Sequence, residues 1–170
     1  MVMGVAGSGK STLARRIAQA LGRTLIEGDD FHPPENVQKM RAGVPLTDAD
    51  RIGWLDRLAQ QLGAHPQGAV LSCSALKASY RDRLRAAAPG LCFVFLDVSP
   101  ETAHQRVAQR AGAHFFPPSV VASQFATLED PSGEAGVLRL DGLLPPEVLE
   151  ARAIAWVRAG GANPQGSLSQ

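Results

Sequence analysis

The sequence predicts an α/β domain: a parallel five-stranded sheet with helices on both faces, in three layers. Three observations predict it. Short apolar runs alternate with amphipathic stretches of helical period, the order that a parallel sheet with crossover helices needs. A glycine-rich segment, GVAGSGKS (residues 4–11), stands between the first apolar run and the first helical pattern. The chain has 170 residues and is 45% apolar, the size and composition of one domain with a real core.

The elements follow in order. Met1, Val2 and Met3 supply an unusually short first strand, so either the strand is truncated or the start of the chain is misassigned. Leu13, Ile17 and Leu21 share a helical face, and Gly22 is a natural stop. TLIE (24–27) reads as the second strand. Pro34 opens a short helix through Met40, ending near Gly43. Asp48 or Asp50 caps a helix whose Ile52, Leu55, Leu58, Ala59 and Leu62 form one stripe.

AVLSCS (69–74) is the third strand, followed by a helix through about Ala87. LCFVFLDV (91–98) is the fourth strand, and a helix from Pro100 to about Arg110 follows it. Another helix runs from Pro118 to Leu128. GVLRLD (136–141) is the last strand, and a helix opening at Pro146 buries Leu149, Ala153, Trp156 and Val157. The expected domain spans 1–159, with a lid at about 111–118. The polar, glycine-rich end (160–170) has a linker's composition and is expected to be a flexible tail.

Charge and composition exclude several classes. A net charge of +1 gives no global footprint for nucleic acid or an acidic membrane. The longest apolar run is far too short to span a bilayer. A cleaved leader is not expected, because the glycine motif begins at Gly4. Two cysteines in apolar stretches, Cys73 and Cys92, fit reduced thiols in a cytoplasmic protein.

GVAGSGKS fits G-x-x-x-x-G-K-[ST], the phosphate-binding P-loop. Its glycines let main-chain N–H groups turn inward around a phosphate at a helix N-terminus. Gly4, Ala6, Gly7, Ser8, Gly9, Lys10, Ser11 and Thr12 are the expected ATP contacts. Lys10 reaches the outer phosphates, and the Ser11 hydroxyl ligates Mg²⁺. The N-K-x-D base-reading motif of GTPase switches is absent, and the chain is too short for a motor ATPase. A small kinase remains.

Its acceptor site is expected beyond the second strand, because ligands of open parallel sheets bind at the strand C-termini. There stands GDDFHPPENVQKM (28–40), rich in hydrogen-bonding groups and stiffened by Pro33 and Pro34. Glu27, Asp29, Asp30 and His32 would emerge near the triphosphate, and Asn36 and Lys39 share a face of the short helix. A carboxylate beside the γ-phosphate can orient and deprotonate a hydroxyl, and the remaining groups suit a polyhydroxylated acceptor.

These motifs resemble the bacterial-type (thermoresistant) gluconokinases. The match runs through GVAGSGKS, GDDFHPPENVQKMRAGVPLTDADRIGWL, CSALKASYRDRLR and HFFPPSVVASQFATLEDP, covering residues 4 to 131 in order. The resemblance implies a nucleoside-monophosphate-kinase-like P-loop fold and a commonly dimeric, cytoplasmic enzyme. It implies ATP- and Mg²⁺-dependent phosphorylation of the 6-hydroxyl of D-gluconate. Arg51, Lys77 and Arg81 become candidates for the gluconate carboxylate, and Gln124 for a further acceptor contact. Residues 105–118 resemble a kinase lid, where Arg106 and Arg110 would neutralise a loose phosphoryl transition state. Phe115 and Phe116 read as lid packing, and His114 has no assigned role. Asp29 is the expected positioning base, with Glu27 or Asp30 holding water on the metal. The rivals are a kinase of shikimate or another sugar acid, and a nucleotide-binding regulator without turnover.

Overall fold

A computed structural model describes residues 1–109 and 118–161. Arg110, His114, Phe115, Phe116, the rest of the expected lid and the tail from 162 lie outside the described residues.

Five parallel strands, β1 (Val2–Met3), β2 (Thr24–Glu27), β3 (Ala69–Ser72), β4 (Phe93–Asp97) and β5 (Val137–Asp141), stand in the order β2-β3-β1-β4-β5. The central strand is indeed two residues long, with Val2 opposite both Ser72 and Val94. Strand side chains alternate between faces, so neighbours in sequence enter different cores. Val2, Val70, Val94 and Leu96 pack under α1 (Lys10–Leu21) and α7 (Pro146–Arg158). Met3, Leu71, Phe93 and Phe95 instead join residues of α3 (Asp48–Gly63) and α4 (Ala78–Ala87). A third cluster at the strand ends unites Val5, Leu76 and Val98 with Ala103 and Val107 of α5 (Pro100–Gln109) and Val121 of α6 (Pro118–Thr127).

The helix boundaries have local causes. Gly22, in left-handed geometry at φ 59°, ends α1 as its amide returns to the Ala18 and Gln19 carbonyls. Pro34 opens α2 (Pro34–Arg41) and Pro146 opens α7, where a missing N–H costs nothing. The cap of α3 is Thr47 rather than Asp48 or Asp50. Thr47 Oγ1 accepts from the Asp50 amide while the Asp50 carboxylate accepts from the Thr47 amide, a reciprocal box. The expected apolar stripe is also displaced. Ile52 is 50% exposed, whereas Trp54, Leu55, Leu58 and Leu62 are buried, because polar ties of the first turn hold Ile52 toward solvent. Cys73 is buried, and burial pushes its thiol up to about 12, while Cys92 is half-buried. Gly161, expected in the tail, is buried against Cys92.

Candidate active site

The loop between β1 and α1 turns on glycines at positive φ: Gly4 at 147°, Gly7 at 80° and Gly9 at 96°. At Gly7 a Cβ would stand 2.6 Å from the Ala103 carbonyl oxygen, so the loop lies flush on α5. At Gly9 a Cβ would meet nothing within 4 Å, which leaves that side of the loop open. The first ladder bond of α1 runs from the Leu13 amide to Gly9 O. The preceding helical amides, Lys10, Ser11 and Thr12, therefore have no intrahelical acceptor and suit an anion. Ser8 Oγ is buried without a hydrogen-bond partner among the described residues.

A cleft opens beside this loop, at the C-terminal edge of the sheet. Lys10, Asp29, His32, Arg51, Ser74 and Gln124 line it with Ser123, Val120, Met40 and the Val44–Pro45–Leu46 segment. Five residues expected from sequence thus meet at one place, drawn from α1, the Gly28–Phe31 3₁₀ turn and its C-cap, α3 and α6. Gln124 also accepts from the Ala6 amide at 2.7 Å through Oε1, tying α6 to the phosphate loop. Its amide N–H groups are left to donate to a bound acceptor substrate.

His32 stacks on Trp54, with centroids 4.3 Å apart and planes 12° apart, and its Nδ1 lies 3.4 Å from Asn36 Nδ2. Burial pushes its pKa down to about 4, against the pull of Asp29 and with a further push from Arg51. The imidazole is therefore neutral at pH 7, with one ring nitrogen donating and one accepting.

Ser11 Oγ lies 3.2 Å from Ser72 Oγ at the end of β3, and Ser72 is opposite Glu27 across the β2–β3 ladder. Glu27 Oε1 is buried without a hydrogen bond, 3.5 Å from Arg15 Nη2 in an ion pair. A hydroxyl and an under-satisfied carboxylate at adjacent strand ends fit a Mg²⁺ that keeps waters and nucleotide phosphates as its other ligands.

Several expected contacts do not line the cleft. Arg81 is fully buried, and all five of its N–H donors are used on Glu134 and on the carbonyls of Ala75, Leu76 and Glu129. It braces the 75–77 turn, in which Ala75 adopts φ 45°, and so is not a carboxylate receptor. Lys77 donates to both Asp48 oxygens at 2.8 Å, and Tyr80 hydroxyl donates to the same carboxylate. Lys39 donates to Asp50 at 2.6 Å. Asn36 is buried, donating to Asp50 O at 2.8 Å. Asp30 is exposed and stands outside the cleft lining. Arg106 is turned to main-chain carbonyls, with Nη2 2.9 Å from Gly142 O and Nη1 3.4 and 3.3 Å from Gly7 O and Ser8 O. As it stands, its guanidinium braces the loop that would hold the phosphates.

A family model described as "AAA domain" matches residues 1–131. The chain is 48% identical to the gluconokinase of Gluconobacter oxydans strain 621H over 163 residues, 94% of this chain and 90% of that one. The thermoresistant gluconokinase of Escherichia coli K12 is 38% identical, with 94% and 93% covered. The crystal structure of a gluconokinase from Sinorhizobium meliloti 1021 superposes with a TM-score of 0.85 at 47% identity, covering 93% of this chain and 90% of that one. The chain belongs to the gluconokinase family. Its parallel five-stranded sheet with helices on both faces and its P-loop are those of a P-loop kinase, as the sequence predicted.

Two contacts beside the cleft were not legible in the sequence. Trp54 stood outside the expected apolar stripe with no reading of its own, and Ser72 read only as part of the third strand. Their hydrogen bonds run to Gly28 and Ser11, 26 and 61 residues away, and neither spacing is visible in sequence.

Proposed function

We propose that this chain transfers the γ-phosphoryl group of ATP to the 6-hydroxyl of D-gluconate, giving 6-phospho-D-gluconate and feeding gluconate into central carbohydrate metabolism. One observation carries the reading: a 48%-identical gluconokinase aligns over 94% of the chain. The cleft supports it, since Lys10, Asp29, His32, Arg51 and Gln124 border one space beside the phosphate loop.

In this mechanism the amides of Gly9, Lys10, Ser11 and Thr12 cradle the phosphates, and the Lys10 ammonium follows the transferred group. Mg²⁺ bound with ATP would neutralise phosphate oxygens, held by Ser11 and, through water, by Glu27. Asp29 accepts the hydrogen bond of the 6-hydroxyl, aligns it with the γ-phosphorus, and takes its proton as the new O–P bond forms and the bond to the departing ADP breaks. In a loose transition state that alignment matters more than base strength. Neutral His32 and the Gln124 amide read hydroxyls, and Arg51 pairs with the carboxylate at the far end. Arg110 would add positive charge at the transferred group, while Arg106 braces the phosphate loop through the Gly7, Ser8 and Gly142 carbonyls.

A homodimer and a cytoplasmic location belong to the same proposal, on the family resemblance. Light scattering on the purified protein tests the dimer. Among the described residues no helix is long and apolar enough to cross a membrane. The activity is tested with a panel of acceptors, including shikimate and other sugar acids, in an ADP-coupled assay. Gluconate should give the highest kcat/KM, and preference for another acid would overturn the reading.

A further inference from the structure

The turn that carries Asp29 is held at both ends by one side chain. Trp54 of α3, 1% exposed, donates its Nε1–H to Gly28 O at 2.7 Å. Its ring stacks on His32. Gly28 opens the 3₁₀ turn Gly28–Phe31, and His32 caps it. Arg57, one helical turn further along α3, adds Nη1 to Phe31 O at 3.4 Å. From the opposite side the turn presses on β3, where a Cβ at Gly28 would stand 2.6 Å from Ser72 O. The turn is wedged between the end of a strand and an indole, so the main chain that carries Asp29 is held in place.

A buried tryptophan usually finds an acceptor for its N–H. This one takes the first carbonyl of the Asp29 turn and lays its face on an imidazole that lines the cleft. Arg51, three residues earlier on α3, shares the helix face of Trp54 and lines the same cleft. One helix therefore carries the Arg51 cation of the cleft and braces the turn that carries the Asp29 carboxylate.

We propose that Trp54 is a positioning residue for phosphoryl transfer, fixing Asp29 through the Gly28 carbonyl and His32 through its ring face. The proposal rests on the acceptor site described above. Its two contacts act on different quantities. Loss of the N–H frees the turn and misaligns the hydroxyl, which lowers kcat. Retention of the ring face keeps His32 in place, which preserves the acceptor KM.

The test replaces Trp54 by 3-benzothienylalanine, which has the size and face of tryptophan without the N–H, in a Trp156→Phe parent. Trp54→Phe is measured beside it as the cruder variant. The benzothienyl protein should lose ~10-fold in kcat, with acceptor KM, ATP KM and Tm within about twofold, or a few degrees, of the parent. A kcat equal to the parent's, or a loss confined to Tm, would overturn the proposal and leave Trp54 a core residue. The parent's rate with gluconate judges the substrate reading separately. The ratio of variant to parent is taken with whichever acceptor of the panel the parent phosphorylates.

Discussion

Lys39 Nζ and Asp50 Oδ1 are joined by a 2.6 Å charged hydrogen bond between α2 and the first turn of α3. Lys77 reaches the same turn from the start of α4, holding Asp48 with both carboxylate oxygens at 2.8 Å. Two of the chain's three lysines thus anchor one helix terminus, and the next residue, Arg51, lines the cleft. Lys39→Ala and Lys77→Ala should each raise the KM for gluconate ~3- to 10-fold by loosening Arg51. ATP KM and Tm should hardly change, since solvated ion pairs add little stability. Steady-state kinetics in both substrates checks this, and an effect on ATP alone would contradict it.

Asp29→Asn should keep the fold and nucleotide affinity while turnover falls ~10²–10⁴-fold. Binding of a fluorescent ATP analogue and the coupled assay measure the two quantities. Retention of more than about a tenth of the wild-type rate would assign the hydroxyl to Asp30 or Glu27 instead.

Stability should fall with acidification in a window belonging to His32. Its folded pKa of about 4 lies below the ordinary 6.5, so between these values the unfolded chain binds the extra proton. Stability is then complete above about pH 6.5, declines as pH falls toward 4, and levels below it. Asp50 acts lower: its carboxylate, held at about 2 by Lys39 and Thr47 against an ordinary 3.8, loses its contribution between those two values. Urea unfolding from pH 7 to 4 should show the slope in the wild type and a reduced slope in His32→Gln. Identical slopes would contradict the buried neutral imidazole.

Arg81→Met should cost ~3–5 kcal/mol of stability, the usual result of breaking a buried charged network from one side. Glu134 and three main-chain carbonyls lose donors together. Folded protein should keep its acceptor KM within about twofold. Full stability with a raised acceptor KM would return Arg81 to the substrate.

Much of the fold was legible because its signals are local. Glycine and proline mark the ends of α1, α2 and α7, and the P-loop spacing fixes the phosphate end of the cleft. The acceptor end was only half legible. Asp29, His32, Arg51 and Gln124 reach the cleft, but Lys77 and Arg81 carry the same charge in the same motifs and turn away. What decides is the partner: Glu134 lies 53 residues beyond Arg81, and Asp48 lies 29 before Lys77. Spacing along a helix shows that two cations can share a face, not which acid will claim them. Ile52 was misread for a related reason, since the first turn of α3 is oriented by these ion pairs rather than by its apolar pattern.

Phosphoryl transfer to gluconate at the Asp29 cleft is tested most directly by following ADP and product together. The purified protein is incubated with ATP, Mg²⁺ and D-gluconate, and phosphorus NMR observes the phosphomonoester. One 6-phosphogluconate should appear per ADP, with the rate collapsing in Asp29→Asn. ADP formation that gluconate does not accelerate, or that yields only inorganic phosphate, would contradict the assignment.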